Sequence, residues 1–173
     1  MLDFYTILMS DDVVGEIKNH LDSILEIVPE IKPMIGFAHK HSQHHLDVFE
    51  HTLYALSLSE KDYLVRMALL FHDIGKPYCF EEGEVRSYHH HPIYSEKITR
   101  SVLERLQYQE DFIEDVCYLV RYHDAPIKRS EVLKNYDLLE KRLEVQRCDA
   151  LAHHPDTIDR RRKYLEKVKT YFC

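Results

Sequence analysis

The amino-acid sequence predicts an all-α fold, a bundle of about seven helices. Three observations carry that prediction. Apolar residues recur at three- and four-residue spacing along most of the chain. Only 4 glycines occur in 173 residues, too few for a turn-rich β protein. The prolines stand at the edges of the periodic segments, where helices begin or end.

The first helix is expected over 11–28, burying Val14, Ile17, Leu21, Ile24 and Leu25, with Pro29 ending it. The second runs over about 45–58. The third covers 61–74, with Leu64, Met67, Leu70 and Phe71 inward and Gly75 then Pro77 as stop signals. Residues 78–90 read as a polar loop. Pro92 suits a first helical position and opens a helix to Leu106 that carries Ile98, Val102 and Leu103. A helix over 111–123 follows, with Phe112, Val116, Leu119 and Val120, stopping before Pro126. The segment 133–152 buries Leu139, Leu143 and Val145, and 157–171 closes the chain.

Length and composition bound the rest. A chain of 173 residues, 45% apolar and 31% charged, is that of one ordinary globular domain spanning 1–173. Apolar runs such as Met67 to Phe71 are far too short to span a bilayer. The start, "MLDFYTILMSDD", lacks the basic opening and cleavage site of a signal peptide. Cys79, Cys117, Cys148 and Cys173 are scattered with no CxxC pair, so reduced thiols and a cytoplasmic location are expected. A net charge of −7 offers no global attraction for nucleic acid. The unusual feature is 13 histidines.

Their positions matter more than their number. In "ALLFHDIGKP", His72 and Asp73 end an apolar helix, where unpaired carbonyls favour a cation. Asp47 and His51 stand four apart on one face of the preceding helix, with His44 a heptad before His51. His91 stands before Pro92, His123 ends "VCYLVRYHD", and Asp149 sits in a helix lined by Leu143, Val145 and Leu151. Singly, each reads as an ordinary satisfied polar group: a carbonyl-bonded histidine, an aspartate paired with Arg147, a polar loop at "HHH". Together they share one economical explanation, a metal cluster. Imidazole and carboxylate suit Fe, Mn, Co, Ni or Zn and argue against Mg as the tightly held ion. With no cysteine among them, a structural thiolate zinc site is not expected. Six candidate ligands exceed one tetrahedral ion and suit two divalent ions about 3.5–4 Å apart sharing a carboxylate, the usual clamp for phosphoryl displacement.

The order His51, His72-Asp73, Asp149 resembles the H…HD…D signature of the HD-domain metal-dependent phosphohydrolase superfamily, an all-helical fold. The blocks "HHLDVFEHTL", "LVRMALLFHDIGKP", "HHHPIYS" and "QRCDALAH" are most similar to the HD domain of bacterial tRNA nucleotidyltransferases and free-standing relatives, over about 44–153. The resemblance implies His51, His72, Asp73 and Asp149 as the shared metal ligands, with Asp73 as bridge. It implies His91 and His123 as the additional pair found in binuclear members. It also implies Lys76 as a contact for substrate phosphate, although a lysine just past a helix end has a dipole reason to be there. Asp47 is expected to accept a hydrogen bond from a ligand imidazole and fix its tautomer, and His44 is a candidate substrate contact. The chain lacks the Gly-Ser dipeptide and D-x-D pattern of the nucleotidyltransferase head, so an HD domain standing alone is expected, without nucleotide addition.

The function expected is hydrolysis of a phosphate mono- or diester of a nucleotide or related small phosphorylated metabolite. A metal-activated hydroxide would attack phosphorus at a binuclear site, with Asp73 and Lys76 in the catalytic set. Asp124 is left outside that set. Two rivals remain: a di-iron oxygenase of the same fold, and a nucleotide-sensing module that keeps the metal and turns nothing over. An RNA end is the less favoured partner. The basic "DRRRKYLEKVK" stretch could meet phosphates but reads first as a solvated helix face. No membrane partner is expected, and the oligomeric state is left open.

Overall fold

The computed structural model describes residues 3–40 and 46–173. Among the described residues, eleven α-helices and three short 3₁₀ segments follow one another without a strand. Two isolated bridges, Ala38 with Asp47 and Glu81 with Ser87, are the extended pairings. The helices are α1 (Phe4–Leu8), α2 (Val13–Asn19), α3 (Leu21–Ile27), α4 (Val48–Ser57), α5 (Tyr63–Phe71) and α6 (Lys76–Cys79). They continue as α7 (His91–Arg105), α8 (Glu110–Arg121), α9 (Arg129–Val132), α10 (Tyr136–Leu151) and α11 (Ile158–Lys169).

The all-α expectation holds, but the helices are more numerous and shorter than the seven expected. The helix expected over 11–28 breaks at His20, which closes α2 and opens α3 with φ −106° and ψ 13°. Three further helices are the five-residue α1 and the four-residue α6 and α9. A helix of one turn has no apolar period, so spacing does not reveal it. Local caps set several starts. Asp12 accepts from the Gly15 N–H, Asp62 from Val65, and Asn135 from Leu138.

Helix α5 is the centre of the bundle. Apolar spacing predicts one inward face for it; in the structure Val65 to Phe71 are buried all round, Val65, Ala68 and Leu69 beside the expected Met67, Leu70 and Phe71, while the expected Leu64 is half-buried. It packs against α1, α4, α8 and α10, which leaves no face for solvent. Each fully buried Leu or Phe contributes roughly 1.5–3 kcal/mol relative to an exposed one. Arg66 within this helix is satisfied by the carbonyls of Leu8 at 2.6 Å and Ser10 at 2.8 Å. Helix α8 is the more ordinary amphipathic case, burying Ile113, Val116, Leu119 and Val120 against α5 and α7. A smaller cluster of Ile127, Val132, Leu139 and Val168 seats α11 against α9 and α10. All four cysteines are free thiols. No helix among the described residues is long and apolar enough to cross a membrane.

Candidate metal centre

The packing of α5 aims its carboxyl end inward. His72 caps α5 and Asp73 follows it, both fully buried. Next in the chain, Gly75 makes the closest approach between this turn and α7. A Cβ there would stand 2.5 Å from the Ser95 nitrogen and 2.6 Å from the His91 carbonyl oxygen, and the Gly75 N–H donates to Ser95 Oγ at 2.9 Å. Glycine is therefore required where the HD turn meets the start of α7, and this contact sets His91 beside Asp73. His51 comes from α4, His123 from the end of α8 and Asp149 from α10.

The histidines share one hydrogen-bonding device. Nδ1 of His72 donates to the Leu69 carbonyl at 2.7 Å, that of His91 to Tyr88 at 2.8 Å, and that of His123 to Val120 at 2.7 Å. Nδ1 of His51 donates to the Ala152 carbonyl at 3.2 Å. A carbonyl can only accept, so Nδ1 carries a proton in each ring and Nε2 is the atom turned to the cluster, able to bind a metal once it holds no proton of its own. Those nitrogens converge. His72 Nε2 is 3.4 Å from His51 Nε2, and His91 Nε2 is 3.1 Å from His123 Nε2. His51 Nε2 stands 2.9 Å from Asp149 Oδ1.

Asp73 joins two sets of ligand-type atoms. Its Oδ2 lies 3.7 Å from His51 Nε2 and 3.4 Å from His72 Nε2; its Oδ1 lies 3.3 Å from His91 Nε2 and 3.8 Å from His123 Nε2. His51, His72, Asp73 and Asp149 form one group and Asp73, His91 and His123 another, each with its donor atoms within 4.8 Å of one another. Asp73 Oδ1 is buried and has no hydrogen-bond donor among the described residues.

This arrangement fits a cation. Acceptors turned toward acceptors in a dry interior repel unless a proton or a metal ion lies between them. The titration behaviour agrees. Burial opposes a charge on His72, yet Asp73 and Asp149 outweigh it and push the imidazole up to about 10. Burial raises both carboxyls, but His72 and Lys76 hold Asp73 well below the usual carboxylate range, and His153, His51 and His72 do so for Asp149. The centre thus takes up positive charge where it can. His123, by burial and by its imidazole neighbours, is pushed down to about 4 and stays neutral, as a ligand must.

His51, His72, Asp73, His91, His123 and Asp149 come together. Among the described residues, Asp47 accepts from backbone N–H groups rather than from an imidazole. It caps α4, accepting from the Glu50 N–H at 2.7 Å and the Gly36 N–H at 2.9 Å. Backbone carbonyls hold the ligand tautomers instead, which corrects the expectation for Asp47. His44 lies outside the described residues. Asp149 pairs with the histidines, whereas Arg147 pairs with Glu144 at 2.7 Å. Lys76 turns inward rather than out over a helix end, its Nζ 2.6 Å from Asp73 Oδ2 and 3.2 Å from His39 Nε2.

Four residues at the site are not predicted by the sequence pattern. His39 is buried against Lys76 and donates from Nδ1 to the Leu46 carbonyl. His153 donates from Nδ1 to the Asp149 carbonyl at 2.7 Å. Arg86 lies between the rings of Phe37 and Phe80, at 4.6 and 4.7 Å. Arg161 lines the same cavity of about 440 Å³ as Asp73, Lys76 and His91. His153 had a sequence signal, four residues after Asp149 on the same helical face, and Arg161 lies in the basic stretch that could meet phosphates but reads first as a solvated face.

An all-helical bundle with a buried His/Asp cluster able to hold metal defines a class of metal-binding helical proteins. A family model described as HD domain matches residues 41–166, so the chain belongs to the HD domain family and, with it, to the metal-dependent phosphohydrolase superfamily. The chain is 32% identical over 140 residues to a CC-adding tRNA nucleotidyltransferase of Thermus thermophilus, covering 72% of this chain and 32% of that protein. It is 37% identical over 89 residues to an A-adding tRNA nucleotidyltransferase of Deinococcus radiodurans, covering 46% of this chain and 20% of that protein. The chain thus matches a third or less of the length of these relatives.

Proposed function

We propose that the chain is a phosphohydrolase, cleaving a phosphate mono- or diester of a nucleotide or related small metabolite with two divalent transition-metal ions in place. The observation that carries this reading is the convergence of four imidazole Nε2 atoms on the two oxygens of Asp73. His51, His72 and Asp149 would hold one ion, His91 and His123 the other, and Asp73 would be shared. Such ions supply an acidified water and positive charge for phosphate oxygens.

The chain's own residues do the rest. The Nδ1–carbonyl bonds keep every ligand ring in one tautomer and one orientation. Lys76, held by Asp73 and His39, keeps an ammonium at the floor of the cavity, where a phosphate oxygen can replace the Asp73 contact. Burial of the ligands keeps bulk water from competing for them. We retain a small phosphate ester as the partner ahead of an RNA end, and a cytoplasmic location.

The test is metal content per chain by elemental analysis of protein purified without chelator, followed by a phosphatase and phosphodiesterase screen. About two equivalents of Fe, Mn or a similar ion together with phosphate release support the reading. Product formation that requires O₂, or tight nucleotide binding without product, would replace it with the oxygenase or sensor reading.

A further inference from the structure

The cavity over the metal centre has a neighbour. A second cavity of about 710 Å³ is walled by α10, α11 and the loop after α8, and shares His123, Asp124, Asp149 and Arg161 with the first. Its volume lies within the range of small-molecule sites. The two differ in charge. The metal-side cavity sets Lys76, Arg86 and Arg161 and several imidazoles against Asp73, Asp124 and Asp149, the last two shared with the second cavity. The second sets Asp124, Asp149, Asp156 and Asp159 against Arg160 and Arg161. Its remaining surface is apolar or neutral, from Pro126, Ala150, Leu165, Tyr164, Thr157 and Gln146.

The carboxylate excess of the second cavity, from Asp156 and Asp159, disfavours a phosphate group there, whereas the first balances its carboxylates with Lys76, Arg86 and Arg161. The Asp156 and Asp159 carboxylates, outside the metal cluster, are well suited to hydroxyl groups and ring N–H donors. The wall is also preorganised. The Tyr164 hydroxyl accepts from the Ile127 N–H and donates to Gln146 Oε1, both at 2.9 Å, while Gln146 Nε2 donates to the Ala125 carbonyl at 2.7 Å. Arg161 stands at the junction. It is half-buried, one turn before Tyr164 and Leu165 on the packed face of α11, and its charge reaches His153 beside Asp149.

We propose that the second cavity is the specificity pocket for the uncharged organic part of a phosphate monoester, a hydroxylated group of nucleoside size, and that Arg161 at the junction is its specificity-determining residue. This rests on the phosphohydrolase reading of the neighbouring centre. A nucleoside monophosphate fits both cavities at once. A di- or triphosphate would drive a second phosphate into the acidic chamber.

The test is calorimetric titration of the chelator-treated full chain with AMP, GMP, CMP, UMP, ATP and inorganic phosphate, alongside kcat/KM of the untreated protein for AMP and para-nitrophenyl phosphate. At least one nucleoside monophosphate should bind about ten-fold more tightly than ATP and than inorganic phosphate. Arg161→Gln should weaken that binding by about ten-fold, the loss of one charged hydrogen bond. Thr157→Trp, which fills the chamber, should lower the ratio of monophosphate to inorganic-phosphate affinity. Equal affinity for monophosphate and phosphate, ATP bound as well as the monophosphate, or no effect of either substitution would overturn the proposal. Binding needs no turnover, so a protein that prefers monophosphates yet hydrolyses nothing would sink only the hydrolase reading. Hydrolysis of para-nitrophenyl phosphate without any preference for nucleotides would sink only the chamber.

Discussion

Helix α10 carries two buried polar clusters that obey opposite rules. Arg142 donates to the Tyr122 carbonyl at 3.0 Å, the Ala125 carbonyl at 2.7 Å and the Tyr118 hydroxyl at 3.1 Å. With Gln146 and Tyr164 it closes into a loop in which cationic donors meet carbonyl acceptors. Two turns further on, Asp149 belongs to a cluster in which acceptors face acceptors and Asp73 Oδ1 has no donor among the described residues. The first cluster is complete in protein alone and clamps the segment directly after His123. The second is complete only with an added cation. A buried polar group is thus informative about function when its partners leave a valence unmet, and about structure when they do not.

The sharpest way to break this contrast is Asp73→Ala. Removing the shared carboxylate should abolish metal content and lower any phosphatase activity by more than about 100-fold. The variant should still fold by circular dichroism. Full metal content in it would dissolve the distinction between the clusters. Arg142→Ala should do the reverse. The stranded carbonyls and lost packing should cost about 3 kcal/mol in urea unfolding, with metal per folded chain unchanged. Metal loss in that variant would mean the clamp and the centre are one unit. His91→Ala and His123→Ala should each lower the metal content from about two equivalents to about one, while His51→Ala should affect the other ion.

A pH titration sharpens the same comparison without a mutation. In chelator-treated protein, burial chiefly depresses His39 to about 3 and His153 to about 4. The unfolded chain takes up those protons first, near the ordinary 6.5. Stability should therefore fall as pH drops from about 6.5 toward 4. His72 has the opposite sign. Raised to about 10, it contributes fully below 6.5 and loses that contribution as pH rises through about 10. Metal must displace its proton, so metal affinity should rise with pH, read as proton release in calorimetry. An affinity flat across pH 6 to 9 would remove His72 from the ligand set. The smallest effect belongs to Asp47→Ala, which removes a helix cap and should cost about 1 kcal/mol while leaving metal content intact.

Much of the centre is legible in the sequence. His51, His72, Asp73, His91, His123 and Asp149 are metal-type residues on or beside apolar helical faces, and side-chain chemistry with helical spacing is enough to collect them. Asp47 is a cap rather than a partner of an imidazole, and its signal is present too, since Asp47 followed by Glu50 ahead of an apolar run marks a helix start. His39 and Arg86 have no such signal, and Arg161 only that of a basic stretch that reads first as a solvated face. Their neighbours are distant in sequence, such as Lys76 for His39 at 3.2 Å and Ala38 for Arg86 at 2.8 Å.

By itself the sequence determined which segments are helical in period and which residue types they carry, because both depend on neighbours three or four positions away. Tertiary structure alone decided which nitrogen of each imidazole faces inward, that the oxygens of Asp73 divide between two ligand groups, and that a second cavity with an excess of carboxylates adjoins the metal-side one. Those features depend on how α4, α5, α7, α8, α10 and α11 meet, and a carbonyl that fixes a tautomer, or a single carboxylate oxygen without a donor among the described residues, exists only once the helices have packed.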